Sequence, residues 1–341
     1  MIYGVCEILS SIRLYFNFFW RGGNVREVSN LIALAGGVGG AKLVLGLSKI
    51  LSPEELSIVV NTGDDEDFYG LHVSPDLDTV MYTLAGLSNV ETGWGLLGES
   101  FRTLERLKVY GEETWFGLGD LDFATHLTRT NMLSEGKTLS EITSHLCVSL
   151  GVKHNISPMT DGNLRTIIGT PEGEMSFQEY FVKNKCLPVV NYLKFDGAQD
   201  CDPSNAFKRS LEECDALVFC PSNPFLSLDP ILAVRGVRDS IENFPGYRIA
   251  ISPIIGGEAV KGPAAKMMAE LGHDVSPLGV AKKYQQFCDI FVIDDLDSEL
   301  APVIEKLGMK VLVTKTLMQN EEDKIGLASI ILSEIGYKKG F

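Results

Sequence analysis

A glycine-dense turn followed by lysine is the first segment of this sequence that could do chemistry. Residues 36–42 read GGVGGAK and lie between the apolar run LIALA and a segment with apolar residues at helical spacing. In a strand–turn–helix unit of this kind, glycines let backbone N–H groups approach an anion at the helix N-terminus. The spacing matches neither the Walker A loop nor the G-x-G-x-x-G fingerprint. The turn predicts a phosphate or nucleotide site, and the alternative is a tight turn with a solvated lysine.

Six carboxylates crowd the next loop, NTGDDEDFYGLHVSPDLDT at 61–79. Such density is unfavourable unless the groups are solvated, cap a helix or are neutralised by a cation. The triplet SPD at 74–76 predicts a helix start with an acid favoured by the helix dipole. Capping needs neither Asp78 nor the Gly-Asp-Asp at the preceding strand end. Acids at a strand tip beside a phosphate loop commonly hold Mg²⁺, and we predict this role first for Asp78 and Asp65.

Further polar residues follow later strands and one helix. The segment GDLDFATHLTR places His126 and Arg129 close to one face of a predicted helix, where Arg129 could bind an anion. CPSNPF places Ser222 and Asn223 at a strand end, and SPIIGG places Gly256 at another. Each of these alone is also consistent with a packed or solvated residue.

Short apolar runs alternate with helical patterns around these motifs, which predicts an α/β fold with a doubly wound parallel sheet. Ligands of such sheets bind at the carboxyl ends of the strands. Four of those ends carry GGVGGAK, NTGDDED, PSNP and SPIIGG, so we expect one shared cleft. The predicted strands are 31–35, 56–62, 216–220, 247–252, 289–294 and 310–314.

The pattern changes to helical between residues 93 and 154. We interpret this segment as a helical insert in a core formed by residues 29–92 and 155–341. A capping box at Thr138 and Glu141 opens its last helix, and a hairpin is predicted to turn at residues 171–173. Residues 1–28 form a leader that reads as an amphipathic helix, a disordered segment or translation from an upstream start.

Composition limits the partners and the compartment. The chain has 341 residues and a formal net charge of −15, which argues against a nucleic-acid surface. Seven scattered cysteines without a C-x-x-C pair favour a reduced, cytoplasmic setting over a disulfide framework. The sequence contains no uninterrupted run of about 18 apolar residues, so we predict no membrane span.

Taken together, these segments resemble the 2-phospho-L-lactate transferase family of coenzyme F-420 biosynthesis. The resemblance covers residues 31 to 297 and includes LAGGVGGAKLVLGL, VVNTGDD, SPDLDTVMYTL, LGDLDFATHLTR, PSNPFLS and SPIIGG in the family's order. It implies a Rossmann-like, mostly parallel core with a helical insert, and a homodimer. It also implies a Mg²⁺-dependent transfer of a phospholactyl-type group from a guanosine diphosphate donor to the ribityl hydroxyl of the deazaflavin Fo, with release of GMP.

The resemblance also implies roles for individual residues. Asp78 becomes the foremost Mg²⁺ ligand, assisted by Asp64, Asp65 or Asp76, and one of these acids orients or deprotonates the attacking hydroxyl. The remaining site residues would bind substrate: the turn residues would face phosphate or deazaflavin, His126 and Arg129 the deazaflavin, and the later loops the diphosphate–guanosine part. These substrate-binding residues are Gly37, Gly39, Gly40, Lys42, His126, Arg129, Ser222, Asn223 and Gly256.

Two other functions compete with the transferase. One is a nucleotide-sugar-binding regulator that shares the Rossmann-like core and a glycine-rich turn but performs no transfer; the acidic PDLDT element argues against it. The other is an NAD(P) dehydrogenase, for which the glycine fingerprint is broken. The acyl part of the donor stays open among phospholactate, phosphoenolpyruvate and phosphoglycerate.

Overall fold

A computed structural model describes residues 28–89, 91 and 93–337 of the chain. The predicted leader, apart from Val28, lies outside the described residues. The strands are β1 Leu31–Ala35, β2 Leu56–Val60, β3 Glu66–Phe68, β4 Leu71–Val73, β5 Asn155–Pro158, β6 Arg165–Thr170, β7 Gly173–Ser176, β8 Tyr192–Asp196, β9 Ala216–Phe219, β10 Tyr247–Ile251, β11 Ile254–Ile255, β12 Glu258–Ala259, β13 Ile290–Ile293 and β14 Lys310–Val313.

Seven of these strands form one parallel sheet in the order β14-β13-β10-β9-β1-β2-β5. Strands β2 and β5 lie on one side of β1, and the later strands, starting with β9, lie on its other side. The strand order therefore reverses between β1 and β9. A crevice at such a reversal is where open α/β sheets bind ligands. The predicted α/β, doubly wound fold is confirmed, and every pair within this sheet is parallel.

Helices cover both faces of the sheet. Alternate residues of β1 enter different cores, with Ile32 and Leu34 packed in one and Leu31 and Ala33 in the other. Burial on both faces explains why the strands are continuous apolar runs. The α-helices of the described residues are α1 Gly37–Ser48, α2 Pro75–Ala85, α3 Arg102–Val109, α4 Asp120–Ser134, α5 Leu139–Ser149, α6 Asn205–Glu213, α7 Asp229–Ala233, α8 Val237–Glu242, α9 Ala264–Glu270, α10 Pro277–Tyr284, α11 Ala301–Glu305 and α12 Glu321–Glu334.

Helices α3, α4 and α5 lie between α2 and β5, where the sequence predicts a helical insert. The capping box is present, because Thr138 and Glu141 exchange side-chain and backbone hydrogen bonds at the start of α5. The predicted hairpin is β6–β7, an antiparallel pair that β8 extends to three strands. None of the helices in the described ranges combines the length and the apolar character that crossing a membrane needs.

Candidate active site

The glycines of the first turn allow very close packing between α1 and the loop after β9. A Cβ added to Gly39 would lie 2.1 Å from the carbonyl oxygen of Pro221. One added to Gly40 would lie 3.0 Å from both the Ala35 Cβ and the Ser222 Oγ. Side chains at these positions would push α1 away from the sheet. Packing therefore explains the glycines at positions 39 and 40. Gly37 has a different neighbour, which is a carboxylate.

Gly37 is the first residue of α1, and its N–H donates to the carboxylate of Asp76. A Cβ on Gly37 would lie 2.9 Å from the Asp76 Oδ1. Asp76 comes from the first turn of α2, so the starts of two helices meet at this carboxylate. A protein acid thus faces the electropositive end of α1, where the turn predicts a phosphate.

Asp64 and Asp76 are held together by one amide. The Asn61 Nδ2 lies 3.2 Å from the Asp64 Oδ1 and 3.0 Å from the Asp76 Oδ2. Both carboxylates are buried. Burial and the neighbouring Asp76 and Asp65 raise the pKa of Asp64 well above its ordinary value. Burial likewise raises the pKa of Asp76 to about 6, against the opposing hydrogen bonds from Asn61 and Gly37.

Asp65 is buried beside this pair but has different partners. Its Oδ2 accepts a hydrogen bond from the Ser74 hydroxyl at 2.8 Å and lies 3.2 Å from the His72 Nε2. Its Oδ1 is buried and has no hydrogen-bond partner among the described residues. Ser74 precedes α2 as predicted, but its hydroxyl serves Asp65 and makes no capping hydrogen bond. Burying a carboxylate oxygen without a partner costs free energy of folding. A hydrogen-bond donor or a cation bound at this oxygen of Asp65 would remove that cost.

Asp78 forms a buried ion pair with Arg129. The Arg129 Nη1 donates to the Asp78 Oδ2 at 3.1 Å, and the Nη2 donates to the Oδ1. The His126 Nδ1 lies 3.7 Å from the Asp78 Oδ2. Burial is the main cause that lowers the pKa of His126 to about 4, so this imidazole is neutral at pH 7. The pair joins α2 to α4, that is, the acidic loop to the insert.

This pairing argues against two of the predicted roles. Each oxygen of Asp78 accepts a hydrogen bond from the guanidinium, which leaves fewer of its lone pairs for Mg²⁺. The guanidinium of Arg129 is 1% exposed and paired, which leaves it poorly placed to bind a substrate anion. A bidentate pair of this kind fixes the geometry of both helices.

The remaining predicted residues make protein contacts at the carboxyl edge of the sheet. The Lys42 Nζ donates to the Met318 carbonyl at 2.9 Å. The Ser222 Oγ accepts from the Gly36 N–H at 3.3 Å. Asn223 caps the turn Pro224–Leu228 through its Oδ1. Gly256 has φ +58° and donates its N–H to Asp297. The structure thus places these residues beside the same edge, with their polar groups engaged within the protein.

Three residues of the site were not singled out from the sequence: Asn61, His72 and Asp122. Asn61 links two acids, and His72 contacts Asp65. Burial, Asp78 and Glu99 raise the pKa of Asp122 to about 7. Asn61 stands next to the Gly-Asp-Asp at the end of β2, and this position was the available signal. His72 lies in the same acidic loop and reaches Asp65 across the local β3–β4 hairpin, and Asp122 lies in the segment GDLDFATHLTR, so both stood within motifs quoted from the sequence.

Whether these residues suit Mg²⁺ depends on the number of carboxylates it needs. The described residues contain no group of three or more His, Cys, Asp or Glu arranged to hold a metal ion. Mg²⁺ in phosphate-handling sites uses one or two carboxylates together with waters and substrate phosphates. Asp64 and Asp76, two buried carboxylates held by one amide, match that donor set, and burial together with the charge of Asp76 raises the pKa of Asp64.

Comparisons with known proteins agree on one family. The family model of the 2-phospho-L-lactate transferase CofD matches residues 31–319. The 2-phospho-L-lactate transferase of Methanothermobacter thermautotrophicus is 39% identical over 307 residues, covering 90% of this chain and 98% of the relative. That of Methanococcoides burtonii is 36% identical over 303 residues, covering 89% and 98%. A phosphoenolpyruvate transferase of Kitasatospora aureofaciens is 37% identical over 310 residues, covering 89% and 97%.

A solved structure shares the fold. It is the crystal structure of a upf0052 family member from Bacillus halodurans, with a TM-score of 0.57 over 90% of this chain and 99% of that one. At 15% sequence identity the likeness concerns the fold alone.

Proposed function

Because this chain belongs to the 2-phospho-L-lactate transferase family, and so is a transferase, we propose that it moves a phospholactyl-type group to the deazaflavin Fo. The donor is a guanosine diphosphate derivative of a phospho-acid, the acceptor is the terminal ribityl hydroxyl of Fo, and GMP leaves. The O–P bond to Fo forms as the P–O bond to GMP breaks, and GMP retains that electron pair.

The observation that carries this proposal is the buried Asp64–Asp76 pair at the N-terminus of α1. Transfer at a phosphorus centre depends mainly on positioning and on neutralising charge. We assign Asp64 and Asp76 to hold Mg²⁺, with Asn61 fixing their separation. Bound there, Mg²⁺ would neutralise charge on the diphosphate of the donor.

Asp65 is the acid that we assign to the attacking hydroxyl. Its Oδ2 is held by Ser74 and lies close to His72, so the carboxylate has a fixed orientation. Its Oδ1 is buried with no hydrogen-bond partner in the part of the chain that the structure describes, and a substrate hydroxyl would supply the missing donor. The hydroxyl proton passes to this oxygen as the alcohol attacks. Asp78 and Arg129 act as positioning residues, since their ion pair holds the insert helix against α2.

The relatives differ in the acyl part of the donor that their names give. The curated relatives carry two names, 2-phospho-L-lactate transferase and phosphoenolpyruvate transferase, at nearly equal identity. The test is mass spectrometry of reactions that contain the purified chain, Fo, Mg²⁺ and one donor each, built on phospholactate, phosphoenolpyruvate or phosphoglycerate. We expect GMP and a deazaflavin with the added phospho-acyl mass from at least one donor.

Comparing the turnover of two variants tests whether product formation depends on Asp65. Asp65→Asn should reduce turnover by at least about a hundredfold, the usual worth of a positioned acid or base. Asp202→Asn is the matched control, because the Asp202 side chain is 70% exposed and pairs with Arg235. Full activity of Asp65→Asn would remove Asp65 from the mechanism. Nucleotide binding without product from any donor would instead favour the regulator.

A further inference from the structure

Arg165 lies beside the acidic loop, at the start of the three-stranded sheet β7-β6-β8. It is the first residue of β6, and the N–H of the next residue, Thr166, donates to the Gly63 carbonyl at 2.7 Å. Gly63 directly precedes Asp64, one of the two acids that we assign to Mg²⁺. The backbone at Arg165 is therefore held against the segment that carries this acid.

Strand pairing shows which residues share a face of this sheet with Arg165. The register places Arg165 opposite Asp196 of β8, and Ile167 opposite Ser176 of β7. Residues opposite each other in an antiparallel pair point to the same face, as do residues two positions apart in one strand. The other face of β6 carries Ile168, which is buried in the core. Arg165 and Ser176 are thus diagonal neighbours on the face that points away from the core.

Two acids beside Arg165 on this face have other partners. The Asp196 Oδ1 pairs with the Lys194 Nζ at 3.0 Å, and the Glu66 Oε1 accepts a hydrogen bond from the Ser176 hydroxyl at 3.1 Å. The Arg165 guanidinium is half-buried and makes no hydrogen bond or ion pair with the residues that the structure describes. Its planar set of N–H donors matches the two oxygens of a carboxylate.

The proposed donor brings a carboxylate to this part of the site. The phospholactate, phosphoenolpyruvate and phosphoglycerate parts each carry one, a few bonds from the phosphorus that is transferred. With that phosphorus at a Mg²⁺ ion held by Asp64 and Asp76, the carboxylate comes within reach of a long side chain that starts beside Gly63. Burial raises the pKa of Asp64 and of Glu66, and Arg165 is among the charges that lower both.

We propose that Arg165 binds the carboxylate in the acid part of the donor; this inference rests on the transferase function proposed above. A guanidinium and a carboxylate form two parallel hydrogen bonds, which fix the orientation of both groups. Arg165 therefore orients the acid part while Mg²⁺ holds the diphosphate. It also distinguishes the donor from guanosine nucleotides that lack this carboxylate, such as GDP.

The test is isothermal titration calorimetry of the full chain in Mg²⁺ with the lactate form of the guanosine diphosphate donor, with the methyl ester of its carboxyl group and with GDP. The wild type should bind the acid at least about tenfold more tightly than the methyl ester, as expected for a charge-assisted pair. Arg165→Met should lose that preference and bind the ester and GDP as the wild type does. Arg165→Lys, which keeps the charge without the planar fork, should keep part of the preference.

Arg209→Met is the matched control. Arg209 is exposed on α6 and, like Arg165, makes no ion pair with the described residues. This variant should bind the acid as tightly as the wild type. An equal loss of acid binding in Arg209→Met would show a general effect of net charge and overturn the assignment.

Three further outcomes would overturn it. Equal losses of acid and ester binding in Arg165→Met would mean that Arg165 holds the acidic loop instead of the substrate. An unchanged preference in Arg165→Met, or in Arg165→Lys if the methionine variant does not fold, would refute carboxylate binding. So would a wild type that binds acid and ester equally or binds neither. An Arg165-dependent preference supports the assignment even if Fo is never modified, whereas product formation with an unchanged preference refutes the assignment alone.

Discussion

Replacing Asp78 by asparagine should destabilise the protein, because it leaves the Arg129 guanidinium buried without its counter-charge. Arg129 is 1% exposed and Asp78 5% exposed, so water cannot take over the lost interaction. Breaking a buried ion pair from one side typically costs about 3–5 kcal/mol. Asparagine keeps one acceptor oxygen for the guanidinium, so we expect the lower end, about 3 kcal/mol of unfolding free energy.

A double-mutant cycle separates the pair from the general cost of substitution. Arg129→Met removes the other charge, and the double variant leaves neither charge unpaired. It should be more stable than the sum of the single losses predicts, by about 2 kcal/mol. The assay is urea unfolding followed by tryptophan fluorescence and circular dichroism.

The matched control is the exposed pair of Arg235 and Asp202, which has the same residue types with 54% and 70% of the side chains exposed. Asp202→Asn should cost less than about 1 kcal/mol. Equal losses for the buried and exposed variants would refute the argument. So would additive behaviour in the cycle. If folded Asp78→Asn needed a different Mg²⁺ concentration for turnover than the wild type, Asp78 would again be assigned as a metal ligand.

Two more predictions follow from the glycine turn and the buried acids. Gly39→Ala should destabilise the protein by several kcal/mol in urea unfolding, about the cost of a severe core overlap, because its Cβ would meet the Pro221 carbonyl. Gly326→Ala, in the interior of α12 with open space around it, should be neutral or stabilising by up to about 1 kcal/mol; similar losses in both would exclude packing as the cause. Because the pKa of Asp76 is raised to about 6 in the folded protein, folding takes up a proton at pH values between the ordinary pKa of an aspartate and 6. In EDTA, thermal melts should therefore show the wild type losing stability relative to Asp76→Asn as pH rises from 4 through 6. Mg²⁺ at pH 7 should reverse that loss, and parallel pH profiles would contradict the assignment.

Local patterns predicted most of the framework. The apolar run 31–35 became a buried strand, because a strand covered on both faces needs apolar residues at every position. The strand predicted at 56–62 forms over Leu56–Val60, where Ser57 is half-buried. The capping box and the hairpin at 171–173 also formed as expected, since both depend on residues within a few positions of each other. The order of motifs was specific enough to indicate the family that the comparisons confirm.

The pairing of charges was decided by tertiary structure. Asp78 and Arg129 are 51 residues apart, and the sequence offered Asp78 as a metal ligand and Arg129 as an anion binder. Lys42 donates to Met318, 276 residues away. Which cation meets which acid depends on how α2, α4 and α12 pack, and no local pattern encodes that packing. Sequence therefore determined which groups reach the carboxyl edge of the sheet, whereas packing decided which of them neutralise each other and which remain for a ligand.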